Sequence, residues 1–179
     1  MIFAVKLVFY FMLWTLYSYV IHVIAHKKFK FNILQKIHLP HHAYQYKALK
    51  WPPFHDYFFW FGSLKGSLDV WITFTLPLII LFFFEPYIAI VLLVFHYIYE
   101  VFFSRDILDH NPHIKGLITR IVPVGEYHLK HHKDHRCNYT FFIPLWDHIF
   151  KTTDEDLEQY KKEQRELRNK KRQVALETE

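Results

Sequence analysis

The chain alternates between long apolar stretches and shorter stretches rich in histidine and lysine. Residues 2–21 are apolar apart from Lys6, Thr15 and Ser18, and about 20 such residues are enough to cross the hydrocarbon core of a bilayer. A secretory signal peptide would be followed by a small-residue cleavage site, whereas His22 and a basic segment follow here. The pattern therefore predicts an uncleaved membrane helix.

A second apolar stretch, residues 70–103, is too long to be one membrane helix. As a single helix it would measure about 51 Å, against about 30 Å for the hydrocarbon core. Pro86 removes a backbone donor and disfavours helix at Glu85, so the sequence predicts a hairpin of two helices at about residues 69–84 and 87–104. We therefore expect an all-α integral membrane protein with about three transmembrane helices.

Basic residues between the two apolar stretches predict the orientation in the membrane. Asp56 is the only acid in residues 27–65, which contain Lys27, Lys28, Lys30, Lys36, Lys47, Lys50 and Lys65. Because cytoplasmic loops carry an excess of lysine and arginine, we expect a helical cap on the cytoplasmic side. The aromatic residues of segment 51–61 are expected at the level of the lipid headgroups.

Composition agrees with a lipid environment and narrows the possible partners. Hydrophobic residues make up 52% and aromatic residues 20% of the 179 residues, more than an ordinary soluble domain contains. The net charge of +5 is too small to indicate nucleic acid binding. Residues 153–179 carry mixed charge and few large apolar residues, so we expect a helical or disordered tail after a membrane domain at 1–152. Cys137 is the single cysteine, and we interpret it as structural.

Histidines are concentrated in two segments with the same spacing. The first segment, HLPHH, carries His38, His41 and His42, and the second, YHLKHH, carries His128, His131 and His132. Residues at i, i+3 and i+4 lie on one face of a helix, so we expect each set of three imidazoles to converge. Imidazole is the commonest metal ligand, and the repeated pattern therefore predicts a metal centre assembled from distant parts of the chain.

Other titratable residues occur at helical spacing. His22 and His26 are four apart at the end of the first apolar stretch and are interpreted as ligands. Asp109 and His113 are also four apart, next to Asp106 and His110, but Pro112 leaves open which of these side chains point inward. His96 and Glu100 form a pair at intramembrane depth. That pair either satisfies itself between helices, orients a ligand or lines a substrate path.

Taken together, HVIAH, HLPHH, the Asp/His segment and YHLKHHKDHRCNY followed by PLWDHIF resemble the fatty acid hydroxylase and sterol desaturase superfamily over about residues 20–152. The resemblance implies eight ligands: His22, His26, His38, His41, His42, His128, His131 and His132. The ligand pattern of this superfamily also has a variable third element between the two H-x-x-H-H segments, and the resemblance leaves that element open here. An H-x3-H pattern would use Asp109 and His113, whereas a D-x-H pattern would use His110. Further residues could accept hydrogen bonds from the outer ring nitrogens or line the site, and they are His96, Glu100, Asp106, Glu126, Asp134 and His135.

The same resemblance implies a membrane enzyme that uses two iron ions and O2 to hydroxylate or desaturate an acyl, sterol or isoprenoid chain. Electrons must come from an external donor, a b-type cytochrome or a ferredoxin with its reductase, because the sequence contains no flavin, nicotinamide, haem or iron–sulfur motif. A bacterial inner membrane and an endoplasmic reticulum fit equally well. The alternative is a non-catalytic membrane protein that binds metal or lipid on the same scaffold.

Overall fold

The computed structural model describes residues 1–43, 51–58 and 63–177, and within these ranges the chain is helical with no β-strand. In chain order the elements are α1 Ile2–Ala25, α2 Ile33–Ala43, a 3-10 turn Phe54–Tyr57, α3 Leu64–Phe82, α4 Pro86–Phe103, α5 Ile118–Ile121, α6 Glu126–Lys133, α7 Leu145–Phe150 and α8 Asp154–Glu177. Among the residues discussed above, Lys47, Lys50, Trp60 and Phe61 lie outside the described ranges.

Within the described residues, three helices, α1, α3 and α4, are long and apolar enough to cross a membrane, which confirms the predicted number. Their outer faces expose large apolar side chains such as Phe9 and Ile80, as lipid contact requires. The 24 residues of α1 measure about 36 Å, longer than a bilayer core of about 30 Å. The last turns of α1 therefore carry His22 and His26 out to the cap, which comprises α2, α5 to α8 and their connecting segments.

The predicted hairpin is present, with α3 ending at Phe82 and α4 beginning at Pro86. The predicted start of α3 near residue 69 was wrong, because the helix begins at Leu64. Ser63 caps it, with its hydroxyl oxygen accepting a hydrogen bond from the Gly66 N–H at 3.0 Å. This cap precedes the continuous apolar run, so hydrophobicity alone did not reveal it.

Each helix of the hairpin contains one π-helical turn near its cap end. In α3 the turn is Trp71–Thr75, and in α4 it is Tyr99–Phe103. Pro77 lacks a backbone N–H and interrupts the regular ladder directly after the first of these turns. A π turn widens the helix and redirects its side chains, and here the two turns supply Thr73 and Glu100 to the cavity described below.

The core between the three membrane helices is aromatic. Trp14 of α1 is 3% exposed, donates its indole N–H to the Phe74 carbonyl at 2.9 Å and stacks on Phe142 with ring centroids 4.8 Å apart. At the opposite end of the helices from the cap, Lys6 forms an ion pair with Glu85 at 2.6 Å. Together these contacts fix α1 against the α3–α4 hairpin along its length.

The segment 138–154 folds around one buried carboxylate. Asp147 of α7 is 0% exposed and accepts hydrogen bonds from five donors on four residues: the Tyr139 N–H, the Thr140 N–H and hydroxyl, the Tyr127 hydroxyl and the Thr152 hydroxyl. Asp147 thereby anchors the short helix α7 to the segment before it and to α6. The helix α8 follows, so of the two states expected for the tail the structure shows the helical one.

Replacing Trp14 with alanine is expected to lower the free energy of unfolding by about 3–5 kcal/mol, because it removes a buried ring and leaves a cavity between the helices. Equilibrium unfolding of the detergent-solubilised protein measures the change. The matched control is Leu13→Ala, whose side chain is 46% exposed to the lipid side. Equal losses for the two variants would contradict the packing described here.

Candidate metal centre

The structure gathers nine histidines into two adjoining groups. The five-histidine group comprises His22, His26, His38, His42 and His131, and the four-histidine group comprises His41, His110, His128 and His132. In each group every residue offers one ring nitrogen, and these nitrogens all lie within 4.8 Å of one another. The two groups are in direct contact, since the ring centroids of His42 and His132 are 4.4 Å apart.

Nε2 is the nitrogen that each ring presents to its group. The shortest Nε2–Nε2 distances are 2.9 to 3.3 Å in the five-histidine group and 3.1 to 3.3 Å in the four-histidine group. Nitrogens bound at about 2.1 Å to one divalent ion would be about 3.0–3.4 Å apart for bond angles of 90–110°. The spacing therefore matches two sets of ligands around two ions.

Each H-x-x-H-H segment divides its histidines between the two groups. In α2, His38 and His42 belong to the five-histidine group, whereas His41 belongs to the four-histidine group. In α6 the assignment is reversed, with His131 alone in the five-histidine group. The expectation that each segment converges on one point was therefore wrong, because only residues four apart are superposed closely enough to share an ion.

The outer nitrogens of several rings donate hydrogen bonds to backbone carbonyls. His22 Nδ1 donates to the Tyr139 carbonyl at 2.6 Å, and His131 Nδ1 donates to the Cys137 carbonyl at 2.8 Å. A neutral imidazole carries one N–H, so a proton on Nδ1 leaves the Nε2 lone pair free to bind metal. We assign this tautomer from the acceptors.

A carboxylate performs the same function for His38. Its Nδ1 donates to Asp69 Oδ2 at 2.8 Å, and Asp69 lies at the cap end of α3. A carboxylate acceptor also raises the basicity of the ring. The sequence interpretation had missed Asp69, although an acid at the edge of an apolar stretch was the available signal.

Electrostatics keep the histidines neutral. Burial, reinforced by the neighbouring imidazoles, lowers the pKa of His26 and of His132 to about 3. The same causes lower the pKa of the histidines His41, His42, His110, His128 and His131. Unprotonated nitrogens packed this closely repel one another, and a bound cation removes that repulsion. The residues present thus fit a pair of imidazole-bound transition metal ions.

Two residues join the elements that carry the histidines. Asn32 is 3% exposed, donates to the Ile24 carbonyl at 2.7 Å and accepts from the Gln35 N–H at 3.0 Å, so it links the end of α1 to the start of α2. Gly125 precedes α6 with φ +57°, and a Cβ there would lie 2.4 Å from the Ile114 carbonyl oxygen. Glycine is therefore required where α6 meets the segment that contains His110.

Of the three candidates for the third ligand element, the structure brings only His110 to the histidine groups. His113 is exposed and lies outside both groups. Asp109 is buried, which raises the pKa of its carboxyl group, and it accepts a hydrogen bond from the Tyr99 hydroxyl. As a correction to the H-x3-H pattern, the D-x-H pattern agrees with the fold, because the chain around Pro112 turns His113 away.

Some residues expected to orient ligands lie at the surface instead. Glu126 faces Lys130 at 3.7 Å, and Asp134 pairs with Arg136 and with Lys161. Those two cations hold the pKa of Asp134 well below its ordinary value. Neither contact involves a histidine ring, so their acceptor role in ligand orientation is corrected to surface ion pairing.

The remaining candidates are close to the histidine groups or deeper in the membrane. His135 is exposed, donates to the His132 carbonyl at 3.2 Å and has its ring centroid 4.3 Å from that of His42. Asp106 is buried and electrostatically coupled to Arg105. His96 is buried and shares a hydrogen bond with the Thr75 hydroxyl at 3.0 Å. His96 therefore has a partner on α3 rather than in either histidine group.

A small cavity of about 20 Å³ lies where the membrane helices meet both groups, large enough for about one water molecule. Its polar wall includes Asp69, Thr73, Glu100, Ser104, Asp109 and the ligand candidates His22, His38, His41 and His110. Its apolar wall consists of Val70, Phe74 and Phe141. Of the uses suggested for Glu100, this position matches lining the path to the site.

A sequence profile of the fatty acid hydroxylase family matches residues 7–152. The match covers most of the chain and all nine grouped histidines, and the protein belongs to this family. Searches among curated proteins and among solved structures give no significant match.

Replacing Asp69 with leucine is expected to weaken metal binding about 10- to 100-fold, because His38 loses the acceptor that fixes its tautomer. Equilibrium dialysis against a divalent metal ion, with metal analysis of the protein, measures the change. Asp134→Leu is the control, since Asp134 pairs with surface cations. Unchanged affinity in Asp69→Leu would contradict the assigned tautomer.

Proposed function

We propose that the protein is an O2-dependent lipid hydroxylase or desaturase with a histidine-ligated di-iron centre. The observation that carries the proposal is the pair of histidine groups at the cap end of three membrane helices, whose Nε2 atoms face one another within each group. The chain that carries them belongs to the fatty acid hydroxylase family. Imidazole ligands suit iron, and the family is typically iron-dependent. The substrate class is an acyl, sterol or isoprenoid chain.

When bound, the two iron ions would supply the activation of O2 that oxidation of an unactivated C–H bond requires. The chain's own residues would bind these ions and orient the imidazole rings that hold them. His22, His26, His38, His42 and His131 would hold one ion, and His41, His110, His128 and His132 the other. The outer hydrogen bonds of His22, His38, His110 and His131, to carbonyls or to Asp69, would keep their Nε2 atoms unprotonated and fix the planes of their rings.

The cavity beside the two groups supports a reaction at the membrane boundary. Phe141 stacks on His22 with ring centroids 4.6 Å apart and contacts Phe74 at 4.7 Å, so rings separate the histidines from the core between the helices. These rings would exclude water from the reacting carbon. Glu100 and Thr73, from the two π turns, provide polar groups opposite the histidines.

Electrons would enter from an external donor, a b-type cytochrome or a ferredoxin with its reductase. The proposed entry side is the cap, where His135 is exposed beside His42. Exposed lysines Lys27, Lys28, Lys30 and Lys36 follow α1 on this side, and the excess of positive charge supports a cytoplasmic cap with the N-terminus opposite.

Protein purified with iron is expected to contain about two iron ions per chain, as the two histidine groups require. With a chemical reductant and isotopically labelled O2, lipid extracts should yield a product that gains labelled oxygen or loses two hydrogens. Mass spectrometry distinguishes the two outcomes. His131→Ala and His132→Ala each remove a ligand from one group and should abolish product.

His148→Ala is the control for these variants, because His148 is exposed and outside both groups. His113→Ala tests whether His113 is a metal ligand. Because His113 lies outside both groups, this variant should retain iron and product. A single bound zinc ion without an O2-dependent product would reject the enzyme in favour of a non-catalytic metal- or lipid-binding protein, whereas full product formation by His131→Ala would show that the product does not arise at these histidines.

Topology is tested by fusing a reporter to each end of the chain. A reporter that is active only in the cytoplasm should work after residue 179 and fail before residue 1, because three spans place the ends on opposite sides. A matched variant with Lys27, Lys28 and Lys30 changed to glutamine should weaken this preference. The reverse reporter pattern would overturn the proposed side.

A further inference from the structure

His110 differs from the other eight grouped histidines in its backbone. The others lie in α1, α2 or α6 or directly at the end of α1, whereas His110 follows the π turn of α4 in a run of turns, residues 104–110. Regular helix does not fix its direction. Something else must hold His110 against His132, whose Nε2 is 3.1 Å from its own.

Arg105 holds both the main chain and the ring of His110. The Arg105 carbonyl accepts the His110 backbone N–H at 2.9 Å and the His110 Nδ1–H at 3.1 Å. The neighbouring Ser104 carbonyl also lies 3.2 Å from His110 Nδ1. Any displacement of the Arg105 peptide would therefore move the ring and disturb the carbonyl acceptors that keep its Nε2 unprotonated.

The position of Arg105 in turn depends on a buried carboxylate from another element. Its guanidinium pairs with Asp56 Oδ2, and Asp56, in the 3-10 turn Phe54–Tyr57, is 0% exposed. The other Asp56 oxygen lies 2.9 Å from His55 Nε2. A buried carboxylate is costly without its cation, so Arg105 cannot move away from Asp56 without leaving that charge uncompensated.

The geometry points to Asp56 as a positioning residue for the four-histidine group, acting on His110 through Arg105. This inference rests on the proposed metal centre and adds a residue that is no part of the histidine pattern. A second contact supports the same segment from the other side, because the Tyr99 hydroxyl donates to Asp109, the neighbour of His110. The ion pair and this hydrogen bond hold the irregular segment between them.

The test is anaerobic titration of the full-length, detergent-solubilised apoprotein with Fe²⁺. Wild-type protein should show two binding steps, one for each histidine group. Asp56→Asn should weaken the binding step of the four-histidine group about 10- to 100-fold and leave the step of the five-histidine group unchanged. His55→Ala is the matched control, since His55 contacts the other oxygen of the same carboxylate, and it should retain both steps.

A double-mutant cycle with His110→Ala separates positioning from general destabilisation. If Asp56 acts through His110, Asp56→Asn should have no further effect on Fe²⁺ binding in the His110→Ala background. An additional loss there, equal weakening of both steps, or wild-type binding by Asp56→Asn would overturn the inference. Should Asp56→Asn fail to fold, Arg105→Lys must weaken the Fe²⁺ binding step of the four-histidine group alone. Any other pattern of binding by Arg105→Lys rejects the inference.

Failure of the proposed function gives a different result. In that case wild-type protein itself shows fewer than two Fe²⁺ steps. Two steps in wild type together with an insensitive Asp56→Asn variant would reject only the role of Asp56.

Discussion

The architecture depends on hydrogen bonds that point away from the metal centre. A neutral histidine can bind metal through Nε2 only when its proton is on Nδ1. For His22, His131 and His110 the acceptors of that proton are carbonyls of Tyr139, Cys137, Ser104 and Arg105, and for His38 the acceptor is the carboxylate of Asp69. Burial then makes a second proton unfavourable. The cost of assembling so many unprotonated nitrogens is offset by folding around them and would be offset further by a bound cation.

The membrane helices and the cap are connected through this same requirement. The loop 138–140, which supplies the acceptor for His22, is held by the Asp147 hydrogen bonds, and Tyr127 at the start of α6 donates to Asp147 as well. One buried carboxylate thereby places a membrane helix, a cap helix and a loop in register. Asn32 likewise joins the end of α1 to the start of α2, and Gly125 allows α6 to meet the segment that contains His110.

Sequence reasoning succeeded where the determinant is local. Apolar runs and Pro86 predicted three membrane helices and the hairpin, and spacing marked the histidines of α1, α2 and α6. It left a choice open, or missed a residue, where the local sequence pattern does not decide. The choice of His110 over His113 depends on an irregular turn with bonds from residue i to i+5, and Asp69 contacts a histidine 31 residues away. Carbonyl acceptors leave no side-chain pattern at all.

The alternating assignment of each H-x-x-H-H segment has a consequence for biogenesis. Both α2 and α6 contribute ligands to both groups, so neither segment alone completes either site. The first histidines to leave the ribosome, His22, His26, His38 and His42, offer four of the five ring nitrogens of one group, whereas the other group then has only His41. Completion of both proposed metal sites would therefore follow insertion of the three membrane helices and docking of α6, so a fully loaded centre would report that the whole chain has assembled.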